Sequence, residues 1–75
     1  MQKLPRLSGK EVIRALSKIG FEAVRQKGSH VIMKNKTSEK EITTVVPNHK
    51  EVDRGTLLEI IRQARLTRES FMELL

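Results

Sequence analysis

Seventy-five residues without a cysteine leave room for one domain, taken here as 1–75, with a thin core and no disulfide or thiolate staple. Lys and Arg total 15 against 9 acidic residues, a net charge of +6 that suits a polyanion or an acidic protein partner. No run approaches the roughly 20 apolar residues of a membrane span. The start, Met1 to Arg6, lacks a signal-peptide core, so a cytoplasmic location with no membrane contact is expected.

In chain order, Ser8-Gly9-Lys10-Glu11 has the form of a capping box, in which the serine hydroxyl and the glutamate carboxylate each satisfy a free backbone N–H. Val12, Ile13, Leu16 and Ile19 follow at helical spacing, with Lys10, Arg14 and Lys18 on another face. Gly20 is placed to end this first helix in the left-handed region. Phe21 to Lys27 reads as a strand, Gly28-Ser29 as a tight turn, and His30 to Lys34 as the second strand of a hairpin. Asn35 to Lys40 is wholly polar and is expected to be an exposed loop. Glu41 to Val46 is β-branched and reads as a third strand stopped by Pro47-Asn48.

Asp53 is placed to cap a helix whose apolar stripe is Leu57, Leu58, Ile60, Ile61 and Ala64. Thr67 caps a short last helix, with Leu66 and Phe71 at hydrophobic-staple spacing. The expected fold is α+β. Its order is α-β-β-β-α with an appended short helix, and a three-stranded antiparallel sheet packs one face on the helices. In such a meander the start of the second strand neighbours the end of the third. His49, three residues past Val46, is therefore expected near His30.

Charge is concentrated at the front. Lys3, Arg6, Lys10, Arg14, Lys18, Arg25 and Lys27 face only Glu11 and Glu22 in residues 1–30, a net of +5, whereas residues 50–75 are balanced. There is no Tyr or Trp, and Phe21 and Phe71 fit core positions, so single-strand binding by aromatic stacking is unsupported. Two histidines with no cysteine or carboxylate cluster make a poor metal site, and no glycine-rich phosphate loop precedes a helix. No metal or cofactor is expected. Ser29 adjoins His30, but successive strand residues point to opposite faces, which makes it a poor partner nucleophile.

One reaction needs little more than a histidine and cations. RNA carries its own nucleophile, the 2′-hydroxyl, and histidine suits proton transfer because its ordinary pKa lies near about 6.5. His30 with Arg25, Lys27 and Lys34 is a minimal set of that kind. Gly28 permits a close backbone approach and Ser29 can donate to phosphate. A solvated turn histidine, and a solvated basic helix face at Lys10 and Arg14, remain the plainer alternatives.

The motifs Ser8-Gly9-Lys10-Glu11-Val12, Leu16 to Phe21, Lys27-Gly28-Ser29-His30, Val46-Pro47-Asn48-His49, Gly55 to Ala64 and Leu66 to Leu75 occur in one order along nearly the whole chain. In them the sequence resembles HicA toxins, the small ribonuclease partners of HicB antitoxins in toxin–antitoxin modules. The resemblance implies a double-stranded-RNA-binding-domain-like fold and mRNA cleavage with His30 as the catalytic histidine. It gives Pro47, Asn48 and His49 an RNA-contacting or structural part, with a second acid/base role for His49 left open. It also implies a HicB-type antitoxin, through which alone DNA would be engaged. A non-catalytic RNA-binding module of the same fold is the alternative.

Overall fold

The computed structural model describes residues 3–36 and 40–75. The elements are α1 (Gly9–Ser17), β1 (Glu22–Lys27), β2 (His30–Lys36), β3 (Glu41–Pro47), α2 (Arg54–Gln63) and α3 (Arg68–Met72). The three strands form one antiparallel sheet in the order β1-β2-β3. This is the α-β-β-β-α arrangement with a short appended helix that the sequence predicts.

The capping box at α1 is complete. The Ser8 hydroxyl accepts from the Glu11 N–H at 3.2 Å, and the Glu11 carboxylate accepts from the Ser8 N–H at 3.0 Å. The Ser8 backbone donor, then its hydroxyl, hold the Glu11 pKa below its ordinary value. The ionised cap is therefore stabilising above the ordinary carboxylate pKa, and that contribution fades as pH falls through the lowered value. Beyond the helix, Gly20 has φ +99°, in the left-handed region.

α1 buries Val12, Ala15 and Leu16, and α2 buries Leu57, Ile60 and Ile61. Both lie over one sheet face, where Val31 and Met33 of β2 oppose Val46 and Thr44 of β3. The buried Thr44 hydroxyl donates to the Gln63 side-chain carbonyl of α2 at 2.8 Å, so a polar core atom has its partner. Thr67 and Ser70 cap α3, and Phe71 enters the same core with Leu66 packed beside it.

Three features differ from the sequence expectation. Asn35 and Lys36 continue β2 rather than opening a loop, because they pair with Ile42 and Glu41 and the Asn35 side chain donates to the Ile19 carbonyl at 3.0 Å. The remainder of that expected loop falls mainly on residues 37–39, outside the described residues. Secondly, β1 buries neither face: all six of its residues are exposed, and Phe21 just before it is the apolar anchor. α1 and α2 pack on β3 and α1 also approaches β1, an edge strand with no buried side chain.

The third is that β1 carries a bulge. Its register slips between Ala23 and Arg25, leaving Val24 as the extra residue, half exposed. In a regular strand Ala23, Arg25 and Lys27 would share a face. With the slip, Ala23 stays opposite the core residue Met33, while Arg25 and Lys27 stand opposite Ile32 and His30. Opposed residues of an antiparallel pair share a face, so both cations lie on the open side of the sheet.

α1 begins on a tight contact with the end of β3. A Cβ on Gly9 would lie 2.3 Å from the Pro47 carbonyl oxygen and 2.7 Å from the Asn48 Cα. Helix propensity alone predicts that Gly9→Ala stabilises by up to about 1 kcal/mol. The contact predicts the reverse, a loss of about 1–3 kcal/mol, visible as a lower midpoint in thermal unfolding; an unchanged or raised midpoint would show that the contact yields.

Candidate functional site

The Gly28-Ser29 turn joins β1 to β2 and sets His30 at the first position of β2. Gly28 has φ +60°, and the Gln26 side-chain amide donates to its carbonyl at 3.0 Å, bracing the turn from within. His30 pairs with Lys27 on one side and Pro47 on the other. Val31 and Met33 face the core, so His30 and Ile32 face outward by alternation. The His30 side chain is exposed and has no hydrogen-bond or ion-pair partner among the described residues.

The segment after β3 is stitched to this turn. The Asn48 N–H donates to the Ser29 carbonyl at 2.6 Å, and the Gly9 N–H at the start of α1 donates to the His49 carbonyl at 2.9 Å. His49 Nε2 lies 3.3 Å from the Ser29 hydroxyl oxygen. The expected neighbourhood of the two histidines is thus present, with Ser29 between them. Ser29 is engaged with His49.

The other expected site residues divide. Arg25 and Lys27 lie on the His30 face, brought there by the bulge. Lys10 borders a shallow depression with Ser8, Asn48, His49 and Lys50, which no carboxylate lines. Arg14 borders a different depression, against Leu74 and Leu75 of the C-terminal tail, alongside Lys18, whose ammonium donates to the Leu74 carbonyl. Lys34 lies four residues along β2 from His30, about 13 Å at strand spacing, and its ammonium is 3.1 Å from the Glu41 carboxylate. The structure therefore gathers Arg25, Lys27, Gly28, Ser29, His49 and Lys10 around His30's end of the sheet, and sets Lys34 and Arg14 apart.

Sequence reading missed Gly9, Gln26 and Lys50. Gly9 carried a signal, since a glycine in the first turn of a capped helix is a poor helix former and points to a close approach. Gln26 and Lys50 carried none, because their roles depend on the turn and on where the post-β3 segment runs.

Among the described residues, no three His, Asp or Glu side chains come together as a metal-ligand group. No helix there is long and apolar enough to cross a membrane.

The sequence profile described as the HicA toxin of bacterial toxin–antitoxin systems matches residues 9–66, from the first residue of α1 to just past α2. The chain belongs to the HicA toxin family. It is accordingly a toxin of a toxin–antitoxin system and has an antitoxin as its partner. No curated protein matches the chain. The matched span of this HicA toxin contains the turn, both histidines and the Gly9 contact.

The two site glycines are required for different reasons, and substitution separates them. A Cβ on Gly28 would meet nothing within 4 Å, so its cost is backbone strain alone. Gly28→Asn should unfold close to wild type, Gly28→Ala about 1–2 kcal/mol lower, and Gly28→Val lower still, by chemical denaturation. Equal stability of all three would contradict a left-handed turn residue at this position.

Proposed function

We propose that this HicA toxin is a metal-independent endoribonuclease that cleaves mRNA in the cytoplasm, with His30 as a proton-transfer group. The observation that carries the proposal is the exposed, unpartnered His30 opposite Lys27 at a sheet end, in a chain of this toxin family. The nucleophile comes with the substrate as the ribose 2′-hydroxyl. The protein then has to move protons, hold the phosphate and stabilise its added charge.

Arg25 and Lys27 serve the phosphate at the cleaved bond, because they share the His30 face and have no acidic partner among the described residues. Gly28 and Ser29 shape the approach. Lys10 and His49 contact the RNA backbone along the edge of α1. Lys34, tied to Glu41, and Arg14, beside the C-terminal tail, contact RNA only further from the cleaved bond. Among the described residues no His, Asp or Glu cluster would hold a divalent ion, and the proposed steps call for none. The antitoxin in this reading is of the HicB type. It inhibits by covering His30, its acidic character matching the basic site, and DNA is engaged only through the toxin–antitoxin complex.

Induction of wild type in a host lacking the antitoxin should arrest growth and degrade mRNA, and His30→Ala should do neither while still binding RNA. Purified wild type should keep full activity in excess EDTA. Equal toxicity of His30→Ala, or loss of activity on chelation, would overturn the mechanism. RNA binding without cleavage by wild type would instead make the domain a non-catalytic RNA-binding module. Arg25→Ala and Lys27→Ala should each weaken binding and reduce the salt slope of log K by about 1.

A further inference from the structure

We propose that His49 is the second proton-transfer group of the cleavage reaction, working across the bound phosphate from His30. The inference rests on the endoribonuclease reading and assigns the half of the chemistry that a single histidine leaves open.

Cleavage by the 2′-hydroxyl moves two protons in one displacement. The 2′-oxygen loses its proton and forms a bond to phosphorus. The bond from phosphorus to the 5′-oxygen breaks, and that oxygen must gain a proton to leave as a hydroxyl. The products are a 2′,3′-cyclic phosphate and a 5′-hydroxyl, with no water consumed. Attack and departure occur on opposite sides of phosphorus, so the base and the acid must stand on opposite sides of the phosphate. One imidazole at a sheet end reaches one side. Lys and Arg, with ordinary pKa values above about 10, hold phosphate charge well but are poor proton donors near neutral pH.

The chain has two histidines, separated by 19 positions, and the fold brings both to one serine. Ser29 is the residue before His30, its Cα about 3.8 Å away, and its hydroxyl oxygen is 3.3 Å from His49 Nε2. The backbone on both sides of this contact is fixed. Asn48 N–H is bonded to the Ser29 carbonyl, and the His49 carbonyl is held by Gly9 N–H. The His49 ring is nevertheless exposed and borders the depression lined by Ser8, Lys10, Asn48 and Lys50.

The Ser29 contact occupies Nε2 and leaves Nδ1 without a hydrogen-bond partner among the described residues. In the tautomer whose Nε2–H donates to the serine hydroxyl, Nδ1 is protonated in the imidazolium and bare after transfer. Ser29 is then a positioning residue for His49. The charged groups placed beside each histidine are cationic: Lys10 from α1 and Lys50 beyond β3 line the His49 depression, and Lys27 of β1 stands opposite His30. In this proposal they hold a phosphate that both rings reach from the turn they share.

The test uses the purified full chain and a short RNA with one cleavable bond. His49→Ala should lower the single-turnover rate by about 10²–10⁴-fold, far more than it weakens RNA binding, and should remove one limb of a bell-shaped pH–rate profile. His49→Gln, which can still bond Ser29 but cannot transfer a proton, should be as slow as His49→Ala; near-wild-type activity of His49→Gln would overturn the inference. A substrate with sulfur in place of the bridging 5′-oxygen needs no proton on its leaving group, so it should restore the rate of one histidine variant and not the other. Rescue of neither, or a His49→Ala enzyme with both pH limbs and rate intact, overturns the role of His49 while leaving His30 untouched. Wild-type protein that fails to cleave any RNA overturns the endoribonuclease reading and this inference with it. Circular dichroism melts of the variants separate loss of fold from loss of chemistry.

Discussion

Gly9 lies so close to Pro47 and Asn48 that no side chain fits between them, and around that contact three parts of the chain are joined. The N–H groups of Gly9, Asn48 and Val52 donate to the carbonyls of His49, Ser29 and Leu7. Each such bond is worth only about 1 kcal/mol net, but together they fix how the start of α1, the β1–β2 turn and the segment after β3 meet. Both histidines depend on this junction. His30 takes its place from the turn, and His49 takes its place from the bond that α1 makes to its carbonyl.

Around the junction the charges are arranged unevenly. Lys34 is held by Glu41 and Arg62 by Glu59, at the far end of the sheet and on the outer side of α2. At the histidine end Arg25, Lys27, Lys10 and Lys50 have no acidic partner among the described residues. Surface ion pairs contribute little to stability, so leaving these cations unpaired costs the fold almost nothing while concentrating positive potential at the histidine end of the sheet. The bulge at Val24 completes the arrangement. One extra residue in an edge strand turns Arg25 and Lys27 towards the open face without moving Ala23 from the helix side.

Much of this was legible before the structure. Capping at Ser8, Asp53 and Thr67 is local chemistry, and local chemistry can be read from a few adjacent residues. The meander followed from short connections, and with it the meeting of the His30 and Pro47–His49 segments. The bulge was not legible, since Glu22 to Lys27 has no apolar–polar alternation whose interruption would mark it. The constraints on β1 are long-range: Phe21 just before it is buried in the core, while the turn at Gly28 sets its other end. The same limit hid the withdrawal of Lys34 by Glu41, a residue on another strand whose pairing became visible only once Asn35 and Lys36 were seen to extend β2.

The central claim is that RNA is cut by its own 2′-hydroxyl, with protons moved by histidine at this junction. The chemical nature of the RNA ends tests it most directly. RNA cut by the purified toxin in excess EDTA should carry 2′,3′-cyclic or 3′-phosphate ends and 5′-hydroxyl ends. Products with 3′-hydroxyl and 5′-phosphate ends would mean attack by water on a different path and would contradict the account.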